Sequence, residues 1–158
     1  MYDLGSILHF EEWYVKNGKG MPKYGIVLND HNLKDMLLVI TSSQPYVDPD
    51  QNDSCFYKAH EFVGETHYYT FWSKEEISEG DMTCFPKDTH LFFGSSVYTL
   101  DVTGCYNNTI GKGPCVRKGV LKKTVFKALL TCALLSNDIP LRYKEILTAE
   151  LAKLSDNP

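Results

Sequence analysis

Apolar and polar positions follow two different periods along this chain, and the change of period divides it. Upstream, short apolar runs are bounded by turn-forming residues. The first, 5–10, alternates so that Ile7 and His9 fall on one face and Leu8 and Phe10 on the other. Two runs rich in β-branched residues follow at 24–28 and 36–40, separated by Asn-Asp-His-Asn-Leu-Lys-Asp, which predicts two antiparallel strands joined by a turn. Further strand-like runs at 55–57, 67–72, 82–85, 90–93 and 97–102 are broken by Gly64, a turn or short helical turn over 74–80, Pro86-Lys87-Asp88 and Gly94-Ser95-Ser96. Many short strands at such spacing predict a highly curved sheet or small barrel. The segments 11–21, with Trp13, Tyr14 and Gly18-Lys19-Gly20, and 42–54, acidic and proline-containing, read as loops, the first a mobile hairpin loop.

Near Gly119 the period lengthens. Leu121, Val125, Leu129 and Cys132 recur at three and four, widened by Phe126, Leu130 and Ala133, which predicts an amphipathic helix whose Lys122, Lys123 and Lys127 face water. Ser136-Asn137 ends it. Asp138 fits as N-cap of a second helix with Pro140 in its first turn and Tyr143, Ile146, Leu147, Leu151 and Leu154 on its buried face. The expectation is an α+β, β-rich single domain over 1–158, with a β-barrel body at 1–104 carrying loop insertions and C-terminal helices at 119–154.

Composition narrows the class. A chain of 158 residues, 43% hydrophobic and 23% charged, suits one sizeable core. No basic-then-apolar leader pattern and no long apolar run is seen, so a cytoplasmic protein without membrane association is expected. The five cysteines, Cys55, Cys84, Cys105, Cys115 and Cys132, are odd in number and show no Cys-x-x-Cys pair; they read as reduced thiols with no metal site. The net charge of −4 hides an uneven distribution, because no Asp or Glu falls between Asp101 and Asp138 while Lys112, Arg117, Lys118, Lys122, Lys123 and Lys127 do. That stretch is either a solvated helix face with its flanking loop or an electrostatic footprint for a polyanion.

Candidate chemistry gathers at the ends of the two central strands. Antiparallel pairing of 24–28 with 36–40 places the entrance of the first beside the exit of the second, making Lys23 a neighbour of Thr41 and Ser42. A cation beside hydroxyls and strand-end N–H groups suits a phosphate. His9, His31, His60, His67 and His90 have no spacing that fixes an acid–base pair, no carboxylate cluster resembles a two-metal nuclease, and Lys87-Asp88-Thr89, which could neighbour the site, stays outside the candidate set.

These residues carry a resemblance. Gly5-Ser6-Ile7 through Phe10, the basic glycine-containing loop, Lys23-Tyr-Gly-Ile-Val-Leu-Asn-Asp and Leu37-Leu-Val-Ile-Thr-Ser-Ser-Gln resemble the N-terminal half of MazF/PemK-type toxins, which share an SH3-like barrel with CcdB toxins; the likeness covers about the first 45 residues. Where that family places Arg-Pro, this chain has Lys23-Tyr24, and Pro22-Lys23 with Thr41-Ser42 is more similar to the ToxN-like version. The resemblance implies a metal-independent, cofactor-free endoribonuclease toxin that cuts single-stranded RNA through a 2′,3′-cyclic phosphate and is neutralised by a cognate protein or RNA antitoxin, in a chain that could pair as a homodimer. Lys23, Thr41 and Ser42 would then be catalytic. Trp13, Tyr14 and Tyr46 would stack on bases, and Lys16, Lys19, Lys112, Arg117, Lys118, Lys122 and Lys123 would meet the backbone. Two alternatives stay open: a non-catalytic SH3-like binding protein, and a CcdB-like toxin acting on a protein target.

Overall fold

The computed structural model describes residues 3–14, 20–29, 35–42, 53–60, 64–94, 96–101 and 115–156. In chain order these form β1 (Ser6–Tyr14), β2 (Gly20–Val27), β3 (Asp35–Ile40), β4 (Cys55–His60), β5 (Gly64–Phe71), β6 (Ser78–Glu79), β7 (Thr89–Phe92), β8 (Val97–Asp101), β9 (Cys115–Leu121), α1 (Lys123–Leu135) and α2 (Leu141–Asp156). The class is α+β. All strand pairings are antiparallel among the described residues, in a six-stranded sheet of order β6-β9-β1-β2-β3-β8 and a three-stranded sheet of order β4-β5-β7. Among the described residues the larger sheet is open, with β6 and β8 at its edges.

Period-2 alternation in β1 to β3 gives the larger sheet two apolar faces, and both are buried. Ile7, Ile26, Leu28, Leu37 and Val39 join Tyr69, Phe71 and Leu91 of the smaller sheet, Phe93 just past β7, and Phe126, Leu129, Leu130 and Cys132 of α1 in the main core. On the opposite face Leu8, Phe10, Trp13, Val27, Leu38 and Ile40 make a second cluster, with Cys115 packed against it. The faces predicted for 5–10 are the ones observed.

Several elements differ from the pattern-based expectation. The segment 11–21 is not a free hairpin loop throughout: β1 runs on to Tyr14 and β2 already starts at Gly20. A register shift between Phe10 and Trp13 absorbs the Glu11-Glu12 pair, so strand pairing resumes beyond two charges that break the alternation. The strand β9 was hidden for the same reason. Ile7 pairs with Gly119 and Leu8 with Arg117, leaving Lys118 as the bulged residue, so alternation fails at Arg117-Lys118. Leu121 consequently ends a strand, and α1 begins at Lys123. Residues 82–85 form no strand; their chain is held across β9 by Met82 N–H donating to the Lys118 carbonyl at 2.9 Å. That approach depends on Gly119, where an added Cβ would lie 2.8 Å from the Glu79 carbonyl. The first carbonyl of the second helix belongs to Pro140, which accepts from Tyr143 N and Lys144 N at 3.0 and 3.1 Å, so Asp138 is not its N-cap.

The reading of every cysteine as a reduced thiol is also corrected. Cys55 on β4 and Cys132 on α1 form a disulfide with Cα atoms 5.6 Å apart, a pairing that the fold produces across 77 residues and no local spacing announces. Cys84 and Cys115 remain thiols, both half-buried. No helix among the described residues is long and apolar enough to cross a membrane.

Candidate functional site

The register Gly25↔Ile40 places Thr41 opposite Tyr24, and Thr41 N–H donates to the Tyr24 carbonyl at 2.9 Å. Lys23, one residue further, turns its Nζ back to donate to the Thr41 carbonyl at 3.3 Å. The two residues are neighbours as expected, although the contact is to Thr41's main chain and not to its hydroxyl. They border a cavity of about 200 Å³ lined by Met21, Pro22, Lys23, Tyr24, Thr41, Phe85, Pro86, Lys87 and Thr89.

The far wall comes from the smaller sheet. Beyond Thr41 the chain makes a two-bond bridge with β7: Ser42 N–H donates to the His90 carbonyl at 2.8 Å, and His90 N–H to the Ser42 carbonyl at 2.7 Å. Thr41 and Thr89 flank this bridge on its two strands, and both line the cavity. Thr89 Oγ1 donates to the Lys87 carbonyl at 2.9 Å, while Ser73 holds the turn from behind, its N–H on Asp88 Oδ1 at 2.7 Å and its hydroxyl on the Pro86 carbonyl at 3.0 Å. The floor is aromatic, with Tyr24 edge-on to Phe85 at 5.3 Å and His9 tilted against Tyr24 at 4.8 Å.

Burial pushes the Lys23 ammonium below the ordinary lysine pKa. His9 is lowered as well, by burial first and then by the Lys118 charge, with Glu11 acting in opposition. The arrangement offers one partly desolvated cation, a second at Lys87, and the hydroxyl-bearing residues Thr41, Thr89 and Tyr24 around one small space. Such a set can hold an anion and stabilise charge that develops on it. A larger cavity of about 330 Å³ lies between Leu37, Thr99 and α2, but its cation, Arg142, is stacked 4.7 Å over the Tyr143 ring.

The other sequence-derived residues scatter. Ser42 is half-buried and serves the bridge to His90; it does not line the cavity. Trp13 is 7% exposed and edge-on to Phe10 in the second core cluster, which leaves little ring face for a base. The Tyr14 backbone ends β1, and its side chain lies outside the described residues, as do Lys16, Lys19, Tyr46 and Lys112. Arg117 pairs with Asp3 at 3.3 Å and Lys122 with Glu76 at 3.0 Å, while Lys118 is half-buried and Lys123 exposed. Lys87 and Thr89, possible neighbours outside the candidate set, do line the cavity, and their place depends on the Ser42–His90 bridge between two sheets. Phe85 was legible only as a strand residue. Comparison of the chain with protein-family models, with curated proteins and with solved structures returns no match.

Proposed function

We propose that the chain is an endoribonuclease toxin of a toxin–antitoxin pair, cutting single-stranded cytoplasmic RNA without a metal, with an SH3-like arrangement of its β-rich body. The observation that carries this reading is the meeting of Lys23 and Thr41 on a cavity that also holds Lys87 and Thr89. In metal-free RNA cleavage the 2′-hydroxyl attacks the adjacent phosphorus, the 5′-oxygen leaves, and a 2′,3′-cyclic phosphate remains. The protein must stabilise the crowded dianionic phosphorane and manage two protons. Lys23 supplies charge at the cavity wall, and its lowered pKa brings proton transfer closer to neutrality. Thr41 supplies a hydroxyl, Thr89 holds the Lys87 turn through its own hydroxyl, and Lys87 adds a second cation at the rim.

The test is incubation of the purified disulfide form with mixed single-stranded RNA in EDTA. Cleavage to cyclic-phosphate ends is expected, and Lys23→Ala should reduce it on the order of a hundredfold, the usual cost of one lost charge-stabilising group. RNA left intact by the unmodified protein would move the assignment to the binding-protein or protein-target readings.

A further inference from the structure

Away from the cavity, three potential ligand atoms converge on the helix-facing side of the smaller sheet. β4 and β5 pair with Cys55 opposite Tyr69 and Tyr57 opposite His67, so Cys55 and His67 are diagonal neighbours on one face. Helix α1 lays Cys132 over that face. His67 Nε2 lies 3.5 Å from Cys55 Sγ and 3.5 Å from Cys132 Sγ, and the three atoms fall within 4.8 Å of one another. This is the one such group of His, Cys, Asp and Glu among the described residues.

We propose that Cys55, His67 and Cys132, once reduced, form a Zn²⁺ site with one exchangeable position, so that disulfide and metal are alternative occupants of the same place. The geometry is specific on this point. With Zn–S near 2.3 Å and Zn–N near 2.05 Å, tetrahedral angles put sulfur and nitrogen about 3.5 Å apart and the two sulfurs about 3.8 Å apart. Both S···N distances already have the tetrahedral value. Only the sulfurs must separate, and breaking their bond permits that. The residue types agree too, since two thiolates and an imidazole are the donor set that zinc prefers over harder cations. Cys132 and His67 are buried beside Phe93 and Tyr68, which keeps competing water out, while half-buried Cys55 leaves an entry.

The chemistry balances with a dithiol as reductant. It delivers two electrons and two protons to the Cys55–Cys132 bond and is itself oxidised to a disulfide; the metal then displaces both thiol protons, and the charge of the two thiolates neutralises the dication. Oxidation by a small disulfide reverses the sequence and releases the ion.

The test uses the full chain, reduced by a dithiol that is then removed anaerobically, and titrated with Co²⁺ as a coloured substitute for zinc. One equivalent should bind with thiolate-to-cobalt charge-transfer absorption and the intense visible bands of a tetrahedral ion, and Zn²⁺ should bleach both. Cys55→Ser should abolish the charge-transfer spectrum, and this half-buried position tolerates the change even if Cys132→Ser does not fold. His67→Gln should weaken binding by roughly tenfold or more and shift the visible bands. Cys84→Ser and Cys115→Ser should leave the spectrum unchanged. The proposal is overturned if reduced protein gives no such spectrum, if the spectrum survives Cys55→Ser, or if the disulfide form binds cobalt equally well.

Discussion

Lys23 is subject to two opposed influences on its proton. Burial at the cavity wall favours the neutral amine, whereas a phosphate placed in the cavity favours the ammonium. In the free protein the first influence acts alone, so the alkaline limb of kcat/KM for RNA cleavage should fall below the ordinary lysine range if the cationic form is the working one. Lys23→Arg, charged at every accessible pH, should remove that limb even where it lowers the rate. A limb that persists in Lys23→Arg belongs to another group. His90 makes a second residue-scale case. It is 1% exposed, bonded through Nδ1 to Thr70 Oγ1 at 2.8 Å, and burial holds its pKa below 6.5, with Asp88 pulling weakly the other way. The unfolded chain binds that proton more readily, so the stability it contributes is fully present above about pH 6.5 and is lost as pH falls through the folded value. Urea unfolding at pH 7.5 and pH 5 should show the loss, and His90→Gln should shrink the difference. Lys23 and Thr41 were legible at this scale because a short antiparallel connection makes strand ends meet. His67 was not, because a ligand set drawn from two strands and a helix leaves no spacing to read.

At the scale of elements, periodicity found the strands and helices with uninterrupted alternation and failed where a bulge inserts a residue. β9 is the instructive failure, since Arg117-Lys118 resembles the solvated end of a helix until the register shift assigns one of them to the bulge. Its position changes what the basic stretch can do. Cys115, Phe10 and Lys23 align across β9, β1 and β2, which puts β9 two strand spacings, roughly 10 Å, from the site strand. Lys118 already acts on His9, which touches Tyr24 of the cavity floor. In a Lys23→Ala background, replacing Lys118, Lys122 and Lys123 should weaken RNA binding similarly for all sequences and flatten its salt dependence by about 0.7 for each phosphate no longer neutralised. Lys122 should contribute least, being paired with Glu76. Parallel salt plots of equal affinity would leave the stretch as a solvated face.

For the molecule as a whole, the α+β class and the C-terminal helix pair were legible because composition and period state them directly. The division into two sheets was not, since strand partners separated by long intervals are chosen by packing. The Cys55–Cys132 bond joins the smaller sheet to α1 and closes 77 residues of chain. Loop-closure entropy alone assigns such a cross-link about 4.5 kcal/mol. Reduction with a chelator present should therefore lower the urea midpoint markedly, and added Zn²⁺ should restore part of the loss without re-forming the bond. The bridge between Ser42 and His90 has a different consequence. Lys23 and Thr41 ride on one sheet, Lys87 and Thr89 adjoin or belong to the other, and beside the shared core two main-chain hydrogen bonds join them at the cavity. The width of the cavity thus depends on how the two sheets meet, and a partner that loosened this bridge would alter the site while touching none of its side chains.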